Sequence, residues 1–153
     1  MKKIIVLLLS LLMFFSLISC TVAKDPTSEY PSMKKFSIES RYSGDNNSNF
    51  FHFIFDWKID GNFEATYTDE YDLYYSMDEV GPYELCEPMS DFNQVPTEFT
   101  LTPGGFAELV INVDDKYEGL PAGYYRFVFK FNVSKDGGEP EIYQASVDFD
   151  MSM

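Results

Sequence analysis

Apolar and polar residues alternate along most of this chain, and the alternation has a period of two. Phe36, Ile38 and Ser40 are separated by Ser37 and Glu39. Phe51, Phe53, Phe55, Trp57 and Ile59 are separated by His52, Ile54, Asp56 and Lys58. Successive side chains of a strand point to opposite faces, so this spacing predicts strands that turn one face to a core. Shorter β-rich runs follow at 63–68 and 71–76, the second with Tyr71, Leu73 and Tyr75 on one face. Residues 97–101 and 106–113 give two more, with Leu109, Ile111 and Val113 aligned in the latter. The longest run begins after Pro121-Ala122-Gly123, where Tyr125, Phe127, Phe129, Phe131 and Val133 alternate with Tyr124, Arg126, Val128, Lys130 and Asn132. A last strand over 142–151 turns Tyr143, Ala145, Val147, Phe149 and Met151 inward.

Turn residues punctuate these runs. Gly44 to Asn49, Asp60-Gly61-Asn62, Pro103-Gly104-Gly105 and Asp136-Gly137-Gly138 all carry the residue types that tight turns require. Residues 77–96 hold two prolines besides Pro96 and many acids and read as a loop with one short strand near 83–86, and 114–120 reads as a short helical turn. Seven to nine strands at roughly 8–12-residue spacing, with no amphipathic helix, predict an all-β fold, an antiparallel sandwich of two facing sheets.

The first twenty residues follow a different rule. Lys2 and Lys3 precede a run from Ile4 to Phe15, apolar except for Ser10, that is too short for a comfortable membrane span and fits the apolar region of a secretory signal peptide. The run ends in Leu17-Ile18-Ser19-Cys20, which resembles the bacterial lipobox. The resemblance implies cleavage before Cys20 and acylation of that residue, which would hold the chain on the outer face of a cell membrane or on an outer membrane through more than one acyl chain. Residues 1–19 are then the signal peptide, 20–33 a lipidated tether without apolar period, and 34–153 a single domain.

Charge narrows the partners. The chain carries 25 Asp and Glu against 11 Lys and Arg, a net charge of −14, and loss of Lys2 and Lys3 takes it near −16. Such acidity argues against nucleic acid and anionic headgroups, and it suits a solvated surface, a cation or a basic partner such as an envelope or extracellular protein. With Cys20 acylated, Cys86 has no intrachain partner, so aromatic residues, 15 Phe and 11 Tyr, must build the core without disulfides.

Leu120-Pro121-Ala122-Gly123-Tyr124-Tyr125-Arg126-Phe127 resembles the penultimate-strand signature of bacterial immunoglobulin-like domains. Tyr71-Asp72-Leu73-Tyr74-Tyr75 and Leu101-Thr102-Pro103-Gly104-Gly105 are similar to the preceding strand and turn of that family, and together the likeness covers about residues 66–151. It implies an Ig-like sandwich and a module that spaces, displays or binds, with no catalysis. It also gives Tyr125 the choice between a corner tyrosine, its hydroxyl bonded to nearby backbone, and one more core aromatic. Trp57 lies on the core face, but the paired cysteines against which the antibody Trp packs are missing.

Few constellations carry chemistry. His52 is the only histidine, too little for a catalytic triad or a zinc site. Asp114, Asp115 and Glu118 are the best-spaced acids for a Ca²⁺ loop, with Asp69-Glu70-x-Asp72, Asp78-Glu79 and Asp45-x-Asn47-x-Asn49 as weaker ones. In the long loop, Tyr83, Met89 and Phe92 among acids offer an amphipathic contact, unless they only tuck under a sheet edge. These features leave three functions open: a binding or structural module on a lipoprotein, an Ig-like proteinase inhibitor presenting Glu87-Pro88-Met89-Ser90, and a calcium-dependent adhesion module.

Overall fold

A computed structural model of the chain describes residues 29–43 and 49–151. The signal segment, Cys20 and the Asp45 and Asn47 positions lie outside the described residues. Among the described residues nine strands run in chain order: β1 (Phe36–Tyr42), β2 (Phe50–Trp57), β3 (Phe63–Thr68), β4 (Asp72–Ser76), β5 (Glu84–Leu85), β6 (Glu98–Leu101), β7 (Phe106–Asn112), β8 (Tyr124–Lys135) and β9 (Glu141–Asp150). A 3-10 turn, Val113–Asp115, follows β7 in place of the expected helical turn over 114–120.

The strands form two antiparallel sheets, one of order β1-β2-β7 and one of six strands centred on β8. β9 pairs along β8 from Tyr124 to Val133 on one edge, while the other edge is shared by β4 and then β3. Tyr67 faces Phe131 and Asp72 faces Val128, so four residues, Thr68 to Tyr71, stand opposite only Phe129 and Lys130. The extra residues push the chain out of the ladder as a wide bulge. β6 continues the sheet beyond β3, and β5 beyond β4.

The sheets meet through phenylalanines. Phe51, Phe53 and Phe55 of β2 are fully buried against Phe127, Phe129 and Phe131 of β8. Ring centroids lie 4.9 Å apart for Phe51–Phe127 and Phe53–Phe127, 5.0 Å for Phe53–Phe129 and 5.2 Å for Phe55–Phe129. The two ladders therefore interdigitate as a zipper, in the tilted and edge-on geometries that aromatic quadrupoles favour. Two stacked antiparallel sheets with this core are the sandwich that the period-two pattern predicts.

β9 departs from its expected pattern. Tyr143, Ala145, Val147, Phe149 and Met151 are only half-buried, whereas Gln144, on the opposite face, is buried. The cause is the segment before β1. Gln144 donates its backbone N–H to the Pro31 carbonyl, Met33 donates to the Gln144 carbonyl, and Tyr30 N–H donates to Gln144 Oε1 at 3.3 Å. Residues 30–33, read from sequence as part of the tether, thus run beside β9, and Met33 belongs to the core.

Candidate functional site

The bulge between β3 and β4 opens a concave region at one end of the sandwich. Its walls are the bulge itself, the loop around Phe92 and Gln94, the end of β7 and the turn that follows it. Two cavities meet there, of about 140 and 190 Å³, and both are lined by Glu70, Tyr71 and Lys116.

Lys116 is brought in by the 3-10 turn. Asn112 caps this turn, its side chain accepting from Asp114 N–H, and Val113 anchors it in the core. The ammonium is half-buried and donates to the Tyr71 carbonyl at 2.6 Å. It also sits over three rings, 4.5 Å from the centroid of Tyr71, 5.4 Å from Tyr117 and 5.6 Å from Phe92, distances at which the ring faces attract a cation. Burial lowers its pKa, and the nearby Asp72 and Glu70 carboxylates work against that shift. Beside it, Lys130 is held at 2.9 Å by Asp72, which raises the Lys130 pKa.

Tyr71 is the second element. Its side chain is 6% exposed, and its hydroxyl is buried without a hydrogen-bond partner among the described residues. Burial holds the phenol far above its usual range, with Tyr117, Asp115 and Asp114 adding to the shift. The group is thus a proton donor at any physiological pH, in a place where nothing accepts from it. The other cleft acids are largely engaged. Asp69 accepts from the Thr97 N–H and from Gln94 Nε2, both at 2.9 Å, and Asp115 accepts from Asn112 Nδ2 at 2.8 Å. The arrangement offers an acidic rim to a ligand of positive charge, beside a buried hydroxyl that lacks an acceptor among the described residues.

The residues picked out from sequence are scattered differently from expectation. Asp114, Asp115 and Glu118 are not brought together as one group. Asp114 turns to Asn49, accepting from its N–H at 2.7 Å and its Nδ2 at 2.9 Å, while Asp115 turns to Asn112 and Glu118 to solvent. Among the described residues no group of three or more His, Cys, Asp or Glu could hold a metal ion. A turn of three residues fans consecutive carboxylates apart, so close sequence spacing did not become a ligand cage.

Tyr83, Met89 and Phe92 also separate. Tyr83 lies on the outer face of the large sheet, its ring 4.3 Å below the Arg126 guanidinium, which Asp148 holds from the other side. Met89 donates its N–H to the Lys116 carbonyl at 2.9 Å and so pins the loop, which sets the Phe92 ring against Lys116. Only Phe92 of the three lines the cleft. Trp57 is buried at the end of β2 against Phe63, with no partner for its Nε1 among the described residues. It stands on the second strand, whereas the antibody Trp stands on the third. Tyr125 is buried beside Tyr75 at the start of β8, and its hydroxyl donates to the Pro121 carbonyl.

His52 pairs loosely with Glu108, Nδ1 to Oε1 3.3 Å, on the outer face of the small sheet. Burial pushes the Cys86 thiol up to about 11, which leaves it protonated and unreactive at neutral pH. The sequence reading missed Tyr71 and Lys116 as a pair. Tyr71 counted as an ordinary core aromatic and Lys116 as part of a charged turn; the one available signal was a lone cation inside the acidic run from Asp114 to Glu118. No protein-family model and no curated protein matches the chain in sequence comparison.

Proposed function

We propose that this chain is a lipoprotein held through acylated Cys20 on the outer side of a bacterial membrane, and that its sandwich is a non-catalytic binding module of the Ig-like kind. The binding surface is the cleft of Tyr71, Lys116 and Phe92. The observation that carries the reading is the Tyr71 hydroxyl, a buried donor without an acceptor: such a group destabilises a fold unless something else uses it.

Strand order supports the Ig-like assignment. β1-β2-β7 against β9-β8-β3 corresponds to the A-B-E and G-F-C sheets of Ig domains, and the Tyr125 bond to Pro121 has the form of their tyrosine corner. The lipobox supports the location. Export and acylation are tested by labelling cells with a palmitate analogue: Cys20→Ala should lose the label and leave the envelope fraction, and an unlabelled cytosolic wild-type chain would refute the reading. The cleft is tested by comparing partner capture by the full chain with and without Lys116→Ala, where equal capture would move the site elsewhere.

One observation favours a second reading, proteinase inhibition. Glu87 and Pro88 are exposed between two backbone anchors, Cys86 N–H to the Leu73 carbonyl at 2.8 Å and Met89 N–H to the Lys116 carbonyl at 2.9 Å, so this loop is presented from fixed ends. Absence of inhibition across a broad protease panel would remove it.

A further inference from the structure

The edge of the small sheet next to the cleft carries unused pairing capacity. Among the described residues β7 is the last strand of its sheet and pairs only with β2. The ladder fixes which of its backbone groups are spent. Val113 donates to the Asn49 carbonyl at 3.0 Å, and this pair continues the register Phe51–Ile111, Phe53–Leu109 and Phe55–Ala107. Hydrogen-bonded and non-bonded pairs alternate along an antiparallel ladder, so Ala107, Leu109 and Ile111 bond to β2. The other edge of β2 agrees, since Ser43 donates to the Phe50 carbonyl and so assigns the even-numbered residues of β2 to β1. The N–H and C=O groups of Phe106, Glu108, Val110 and Asn112 therefore point away from the sheet, and no backbone group of the described residues pairs with them.

This edge is not blunted in the usual ways. It has no proline and no lysine, and Phe106 and Val110 are 79% and 52% exposed. Alongside it lies the smaller cavity, lined by Val110, Ile111 and Asn112 on one side and by Tyr71, Phe92 and Lys116 on the other. A strand added to β7 would send alternate side chains between the sheets into that cavity, whose lining includes Tyr71. Its remaining side chains would lie outside, next to Glu108 and Val110.

Charge selects the occupant. Asp69, Glu70 and Asp115 line the cavity against one lining cation, Lys116, and Glu108 stands on the outer face with His52 at 3.3 Å and Arg41 nearby. A second copy of this chain, with its net charge of −14, would meet like charge at the edge. We infer that β7 and the adjoining cavity accept an extended segment of a basic partner protein by strand addition, the backbone supplying the pairing and Lys or Arg side chains the complementarity. This rests on the binding-module reading and names its surface and partner class.

The probe is a seven-residue peptide of alternating Val and Lys, titrated into the full chain and followed by anisotropy and amide exchange. Controls are the same peptide with Glu for Lys, and with Pro at its centre. Binding should slow exchange at Glu108, Val110 and Asn112, fall with salt, and be absent for both controls. Val110→Pro removes an outward N–H without touching the β2 ladder, so the fold should persist while affinity falls about tenfold or more. Glu108→Lys should weaken binding severalfold. Equal affinity for the Pro-interrupted peptide, or for Val110→Pro, would overturn strand addition and leave ionic adsorption. If the full chain captures an envelope protein equally well with Val110→Pro, the module reading survives and this inference fails.

Discussion

Removing one oxygen atom should have opposite consequences at two tyrosines. At Tyr125 the hydroxyl donates to the Pro121 carbonyl, and Tyr125→Phe deletes that bond and strips a partner from a backbone acceptor. Such a loss costs about 1–2 kcal/mol. At Tyr71 the hydroxyl is buried with nothing to bond among the described residues, so its desolvation penalty is uncompensated. Tyr71→Phe keeps the ring against Phe127 and Tyr117 and relieves about 1 kcal/mol. For a domain of this size 1 kcal/mol corresponds to about 4 °C in Tm. Thermal unfolding of the full chain, followed by near-UV circular dichroism and calorimetry, should place Tyr125→Phe about 4–8 °C below wild type and Tyr71→Phe about 4 °C above it. A Tyr71→Phe protein that melts as low as Tyr125→Phe would show that the Tyr71 hydroxyl is satisfied, and would remove the reason for assigning it to a ligand. A residue kept at a stability cost is what a binding site exhibits.

Three further outcomes follow from the packing. Phe53→Ala, which empties the space between Phe127 and Phe129, should lower stability by about 3–5 kcal/mol in urea unfolding, with the slope of the transition unchanged. Gly123→Ala should destabilise by about 1–3 kcal/mol, since a Cβ there would lie 2.5 Å from Tyr75 Cε2 and 2.9 Å from the Ser76 carbonyl at φ +154°. Gly104→Ala, with open space around it at φ +73°, should lose only about 1 kcal/mol. Stability should also fall as pH rises above about 10. Burial holds Tyr71, Tyr117 and Tyr125 protonated in the fold, whereas the unfolded chain releases those protons, so alkali favours the unfolded state; Tyr117→Phe should flatten the slope of stability against pH over that range.

Much of the sandwich is written in local order. Phe51 to Trp57 alternate in burial, and so do Tyr125 to Phe131 except for the buried Val128, so the two inner ladders, and the class of fold, follow from spacing. The Leu-Pro-x-Gly-x-Tyr stretch is legible for a related reason: Gly123 passes too close to Tyr75 and Ser76 for any side chain, and Tyr125 reaches back four residues. What escaped is long-range. Gln144 is buried because Pro31 and Met33 cross over to it, more than a hundred residues away in the chain. Asp114 was a plausible metal ligand until Asn49, in another strand's approach, took both its oxygens. The cleft itself joins Tyr71 to Lys116 across a bulge, and no periodicity marks a bulge that only the β8 ladder defines.

Whether a partner docks at this cleft can be asked directly in living cells. A photo-crosslinking benzoylphenylalanine placed at position 92, on the cleft wall, should yield a discrete adduct with an envelope or extracellular protein, and the same group at position 80, on the fully exposed loop before β5, should not. Adducts at position 80 with none at position 92 would mean that recognition happens on another face of the sandwich.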